Sequence, residues 1–207
     1  MRSRSVRSPA GLRAAVLAAI LPWFPALAVA AIAIENVTVA DAVDGTRPAQ
    51  RVVVDGDRIV SVAPMSAPAP PVDRVVDGGG GVLVPGLWDM HVHFLYDERL
   101  AEAMPDLFLR HGITSVRDTG GDLRKLDALR ERLRAAAAPA PRVFLSGPLL
   151  DGANPVYDGG DPGRPPLGTA VPDPAAARRK VAELDAAGVD FIKIYEMVTP
   201  EVFAALV

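Results

Sequence analysis

Cysteine is absent from the 207 residues. That excludes disulfides, thiolate metal ligands and a lipidated N-terminal cysteine. Lysine is scarce, with three against 19 arginines, and histidine is limited to His91, His93 and His111. Basic charge is also thin outside the start of the chain. Four of the 22 basic residues (Arg2, Arg4, Arg7, Arg13) and none of the 25 acidic ones fall in residues 1–30, leaving 18 against 25, a formal −7. A domain that acidic argues against a nucleic-acid partner, whose binding rests on phosphate neutralisation. Gly78-Gly79-Gly80-Gly81 is not followed by Gly-Lys-Ser/Thr or by a helix, so it reads as a turn between strands rather than a phosphate cradle.

With 50% hydrophobic and 23% charged residues the chain can bury one sizeable core. It is too short for a complete (β/α)₈ barrel of ~250 residues plus an N-terminal domain. Ala14 to Ile34 is apolar apart from Pro22 and Pro25, behind a basic start, and Ala26-Leu27-Ala28 and Ala28-Val29-Ala30 are small-x-small cleavage sites. Residues 1–30 therefore read as a secretory signal peptide, and the chain is expected to be exported, periplasmic or secreted. The alternative is an uncleaved anchor over residues 14–34, since about 20 apolar residues span a bilayer. The two prolines, and the strand-like Ile32 to Val39, favour cleavage. No Arg-Arg pair supports the twin-arginine route.

Residues 31–84 alternate in short β-branched runs, and Val52 to Val62 forms two strands about an Asp-Gly turn. Residues 64–72 are a Pro/Ala-rich loop. From residue 85 the pattern becomes strand–helix alternation, the mark of a parallel α/β sheet or barrel. Helices are expected over 97–110, from an Asp122 cap to about Ala138, from Asp173-Pro174 to near Gly188, and from Thr199-Pro200 onward. Leu126, Leu129 and Leu133 form the sheet-facing side of the second. Strands are expected to end at the His91–His93 pair, to follow Gly112 and end at Asp118, and to lie at 143–146 and 190–195. Gly152 to Pro172 is a long Gly/Pro loop, which after a barrel strand belongs to the catalytic face.

Asp89-Met90-His91-Val92-His93 closes the first of these strands. Side chains at i and i+2 share a strand face roughly 7 Å apart, so His91 and His93 can bind one ion or simply fill a polar strand end. Asp89, also on that face, can orient an imidazole. In the last strand Phe191, Lys193 and Tyr195 share one face, with Ile192 and Ile194 on the other. A lysine there needs a carboxylate, a lost proton or a chemical modification. Asp118 pairs with Arg117, caps the following turn or meets substrate. His111 suits a helix C-terminus, and Tyr195 contacts substrate or fills the barrel.

Asp89-x-His91-x-His93 after Pro85-Gly86 resembles the first-strand metal motif of the amidohydrolase superfamily. Gly112 to Gly121 is similar to its second strand and Gly188 to Tyr195 to its fourth. The resemblance covers residues 32–207 and is nearest to the branch of imidazolonepropionases and Xaa-Pro dipeptidases. It implies the N-terminal half of a (β/α)₈ TIM-like barrel preceded by part of a small β-sandwich. It also implies a metal-dependent hydrolase of a carbon–nitrogen bond in a small-molecule substrate. His91, His93 and a carboxylated Lys193 would hold divalent metal, one or two ions, zinc being the expected one. Two further histidines and a general-base aspartate of such sites have no counterpart here, so the chain reads as a fragment without its own turnover. Self-association through open sheet edges is expected of such a half-barrel. The alternatives are a non-catalytic remnant, and a phosphoester or lactone hydrolase on the same scaffold.

Protein recovered from the envelope of a bacterial host should begin near Ala31. Intact-mass analysis finding residue 1 in the membrane fraction would show an anchor instead.

Overall fold

A computed structural model describes residues 31–207; the expected signal peptide lies outside them. The chain divides into two compact units between Leu83 and Val84. The first is a single five-stranded sheet. β1 (Ile32–Asp41) pairs antiparallel with β2 (Gly45–Asp55), and β2 with β3 (Arg58–Pro64). Gly56, at φ 59, makes the tight turn that sets Asp55 opposite Arg58. β4 (Arg74–Asp77) and β5 (Val82–Leu83) both run parallel to β1, and the four glycines form the turn between them. Val37, Val39 and Val52 make the core, with Ile34, Val54 and Leu83 against it. The described residues give one layer; the second layer that a sandwich needs is not among them.

The second unit is mixed α/β. β6 (Leu87–Val92), β7 (Ile113–Asp118) and β8 (Arg142–Leu145) form a parallel sheet in that order. Parallel strands need crossovers, and α1 (Met104–Arg110) and α2 (Leu123–Ala135) supply them. Asp122 caps α2 by accepting from Arg124 and Lys125 N–H. Leu126 and Leu129 bury in a core with Val92, Phe94, Val116, Val143 and Leu145, and Leu133 packs on its edge. α1 is shorter than expected: residues 97–103 form turns, because Pro105 has no N–H to donate and fits only a first turn.

After β8 the chain forms β9 (Leu149–Asp151), which pairs in parallel with β10 (Gly168–Ala170) inside the long loop. α3 (Pro174–Ala186), capped by Asp173, and α4 (Pro200–Leu206), capped by Thr199, pack around Leu150, Val171, Ala177, Leu184, Val202 and Leu206. The expected fourth strand is a correction. Residues 190–195 make only one isolated bridge, Leu150 to Ile194. Their backbone bonds are Asp190 N–H to Leu145 O, Leu150 N–H to Lys193 O and Tyr195 N–H to Leu150 O, each 2.8 Å. The neighbour is at fault. Ser146-Gly147-Pro148 breaks β8 from β9, with Gly147 at φ 71 and Pro148 lacking an N–H, so the ladder has no rungs in between.

Gly86 lets β6 approach β7. A Cβ there would overlap the Thr114 side chain, coming within 2.8 Å of its Cβ. Gly86→Ala should cost about 1–3 kcal/mol by overpacking. Urea unfolding should show most of that cost removed when Gly86→Ala is combined with Thr114→Gly; an undiminished cost in the pair would mean that contact is not the cause.

Candidate metal centre at the strand ends

The two imidazoles at the end of β6 converge. His91 Nε2 lies 3.1 Å from His93 Nε2, with the ring centroids 5.1 Å apart. Val92 and Phe94 turn into the core between the sheet and α2, which leaves His93 to the opposite side. His91 is exposed and His93 half-buried. His93 Nδ1 faces the Gly120 carbonyl at 3.4 Å. A carbonyl only accepts, so the proton belongs on Nδ1 and the Nε2 lone pair is left free. Thr119 Oγ1 lies 3.4 Å from that Nε2. Burial lowers the His93 pKa, and the charges of His91 and Lys193 push the same way against the Gly120 bond. The neutral, ligand-competent imidazole is the favoured form.

Lys193 is half-buried and close enough for its charge to act on His93. It forms no ion pair or side-chain hydrogen bond among the described residues, so the ordinary acid partner that a strand lysine needs is not there. Ile192 and Ile194 pack on the α3–α4 core, leaving Phe191, Lys193 and Tyr195 to the other face. Arg117 lies over the Phe191 ring at 3.9 Å. The strand ends thus bring two histidines together, with Lys193 within electrostatic range of one of them. Among the described residues no group of three or more His, Cys, Asp and Glu side chains could hold a metal on its own.

The expectation for Asp89 changes, and that for Asp118 narrows. Asp89 does not reach an imidazole; its Oδ1 accepts from the His91 backbone N–H at 3.1 Å. Asp89 pairs with Val116 and Val92 with Asp118, so β6 carries one residue more than β7 between those points. That bulge breaks the alternation that would put Asp89 on the His93 face. Asp118 makes no pair with Arg117 among the described residues. Its carboxylate is fully buried and accepts from Phe94 N–H at 2.7 Å and Gly120 N–H at 3.1 Å. The turn-capping alternative is the one seen. His111 caps α1, away from the centre. Tyr195 packs edge-to-face on Tyr157, ring centroids 5.8 Å apart.

Sequence reasoning missed Thr119 and Gly120 as His93 contacts, and Asp151. Buried Asp151 accepts from Gly152, Val156 and Met197 N–H and so ties the start of the long loop to the segment after residues 190–195. An aspartate at a strand end followed at once or two residues on by glycine is the shared signal at 118 and 151. A cleft of about 430 Å³, walled by Arg130, Pro141, Arg142, Phe144 and Asp190, opens at the start of β8, the end of the sheet opposite the imidazoles.

The amidohydrolase family's sequence model matches residues 82–203. The chain belongs to the amidohydrolase family. Adenine deaminase 2 of Rhizobium etli is 34% identical over 92 residues, 42% of this chain and 16% of that protein. Imidazolonepropionase of Idiomarina loihiensis is 31% identical over 104 residues, 47% of this chain and 26% of that protein. Among solved structures, a prolidase complexed with n-methylphosphonate-l-proline aligns with TM-score 0.65 and 27% identity over 79% of this chain and 46% of its own. Molinate hydrolase aligns with TM-score 0.69 and 25% identity over 86% of this chain and 50% of its own. The chain spans about half the length of these solved relatives and a smaller share of the curated ones.

Burial pushes the Asp118 carboxyl up to about 6 from 3.8, against its two backbone hydrogen bonds. An acid raised on folding stabilises the fold fully below its unfolded value, and that contribution is lost as pH rises through the folded one. Unfolding free energy should therefore fall between about pH 4 and 6, by of order 3 kcal/mol. Asp118→Asn should abolish this slope in pH-resolved urea denaturation. The lowered His93 acts in the opposite direction but is common to both proteins, so the difference isolates Asp118.

Proposed function

We propose that this chain supplies one side of the metal centre of a hydrolase acting on a carbon–nitrogen bond of a small molecule. The observation that carries it is the meeting of two imidazole nitrogens 3.1 Å apart, with a lysine that has no acid partner among the described residues within electrostatic range of His93. Two nitrogens bound tetrahedrally to one zinc at ~2.0–2.1 Å sit roughly 3.3 Å apart, so the donor set fits a divalent ion, with zinc the best match to neutral imidazole. His91 and His93 would hold it through Nε2, and Lys193, carboxylated to a carbamate, would add an anionic oxygen donor. When bound, such an ion acidifies water and polarises a substrate carbonyl.

The chain's own residues do the positioning. Gly120 O fixes the His93 tautomer, Asp118 fixes Gly120, and the exposed edge of His91 leaves an open approach for substrate. Family membership and the likeness to prolidase and molinate hydrolase support hydrolysis as the reaction class. In this reading β6, β7, β8 and residues 190–195 are the first staves of a (β/α)₈ barrel. The first unit is then part of a sandwich. With three histidines in the chain, the remaining ligands and the general base come from outside these 207 residues. Residues 1–30 make the protein exported.

Zinc affinity, measured by chelator competition, should fall at least about tenfold in His91→Ala and in His93→Ala. Protein equilibrated with ¹³C-bicarbonate and zinc should give a carbamate carbon signal that Lys193→Arg removes. Unchanged zinc affinity in both histidine variants would overturn the assignment.

A further inference from the structure

The parallel sheet β6–β7–β8 has two faces, and α2 packs on one of them. Val92, Phe94, Val116, Val143 and Leu145 turn to that side. The side chains that alternate with them stand on the other: Trp88, Ser115, Arg117, Arg142 and Phe144. The register aligns Trp88 with Ser115, Ser115 with Arg142, and Arg117 with Phe144. Trp88 and Phe144 reach across β7 and stack, ring centroids 5.0 Å apart and planes at 27°, with Ser115 fully buried on the strand between them. Arg142 lies 5.8 Å from the Trp88 ring centroid and donates from Nε to Ser115 Oγ at 3.2 Å. Arg117 lies over the ring of Phe191.

This face is open. Trp88 is 46% exposed, Arg142 is exposed, and Arg117, Phe144 and Phe191 are half-buried. Parallel sheets are found with both faces covered. Neither guanidinium has a carboxylate partner among the described residues, and the acids beside them in sequence are committed elsewhere. Asp118, after Arg117, holds two backbone N–H groups; Asp190, before Phe191, holds Arg130 and Leu145 N–H. A purely apolar layer laid here would take two unpaired cations out of water, which apolar contact does not repay. A second copy set face to face would bring four guanidiniums together. The layer that fits carries both carboxylates and apolar side chains. Arg117 and Arg142 lie one strand and two residues apart, roughly 8 Å between their Cα atoms. Acids at i and i+2 of a covering strand, roughly 7 Å apart, match that spacing.

We propose that the open face of β6–β7–β8 docks an acidic polypeptide layer, whose carboxylates pair with Arg117 and Arg142 while its apolar side chains cover Trp88, Phe144 and Phe191. His93 stands on this same side of the sheet, so the layer that docks here also meets the metal centre. That the layer is the part of the barrel lying outside these residues rests on the reading above; the preference for carboxylates does not. The two arginines select the partner by charge and keep two copies of this chain from pairing through this face.

Trp23→Phe in the full chain leaves Trp88 as its sole tryptophan, so its emission reads this face. Three octapeptides, (Val-Glu)₄, (Val-Gln)₄ and (Val-Lys)₄, separate charge from backbone pairing, because all three can add a strand to a sheet edge. (Val-Glu)₄ should shift the emission saturably and bind at least about tenfold tighter than (Val-Gln)₄, with (Val-Lys)₄ weakest. Arg117→Gln with Arg142→Gln should abolish this order, and Arg117→Glu with Arg142→Glu should reverse it. Equal binding of the Glu and Gln peptides, or the original order surviving in the glutamine pair, overturns the proposal. So does octathymidylate binding tighter than (Val-Glu)₄, which assigns the face to a nucleic acid. If the double variants do not fold by circular dichroism, salt decides it: the Glu-over-Gln preference should vanish at about 0.5 M NaCl, and its persistence overturns the proposal. Zinc is absent from the experiment, so failure of the metal centre, scored separately by zinc affinity, cannot be mistaken for failure of the docking face.

Discussion

Asp118 carries a carboxylate into a site with no solvent and commits both oxygens to backbone N–H groups. One of these belongs to Phe94, next to His93; the other belongs to Gly120, whose carbonyl faces His93 Nδ1. The two elements that define the imidazole's place and its tautomer are thus joined through a single side chain. Leaving either buried N–H without an acceptor would cost about 1–3 kcal/mol, comparable to the cost of burying the carboxylate. The arrangement is a balance between those two penalties, and it holds only while both donors stay in reach. The close approach at Gly86 and the buried Val92 and Phe94 keep β6 where that is true.

The same device recurs along the unit. Asp151 accepts three backbone N–H groups, two at the start of the long loop and one from Met197, and Asp190 accepts Leu145 N–H while paired with Arg130. These bonds substitute for ladder hydrogen bonds where strands break. Residues 190–195 keep their course beside β8 and β9 with few rungs because Asp190 anchors the start and Leu150 the end. Charge-assisted bonds to backbone donors are stronger than neutral ones, which suits segments that must hold position without regular pairing.

Local chemistry was legible in the sequence. Asp122, Asp173 and Thr199 cap the helices they precede, the Asp55-Gly56 hairpin closes as read, and the His91–His93 pair converges. Features that depend on a neighbour were not. Nothing in Leu87–Val92 itself announces a bulge, since it is defined by the register against β7. The strand-like residues 190–195 fail to form a strand because of Gly147 and Pro148, some 45 residues earlier. Arg117 leaves Asp118 for Phe191, a contact with a distant segment that adjacency in sequence hides.

The commitment of the aspartates bears on Lys193. Asp118, Asp151 and Asp190 are the acids the fold places near the sheet's strand ends and breaks, and each already binds backbone N–H groups. None is left to compensate a lysine cation, whose charge instead acts unfavourably on the protonated form of His93. Arginine, the chain's usual cation, would bring the same charge with no means of losing it. On the proposed reading, a lysine converted to an anion would change the sign of that interaction, and with His91 and His93 it would form a set of donors that favours a divalent cation between them. The pairing of backbone with carboxylate that holds the site rigid would then also be what leaves it electrostatically incomplete without an ion.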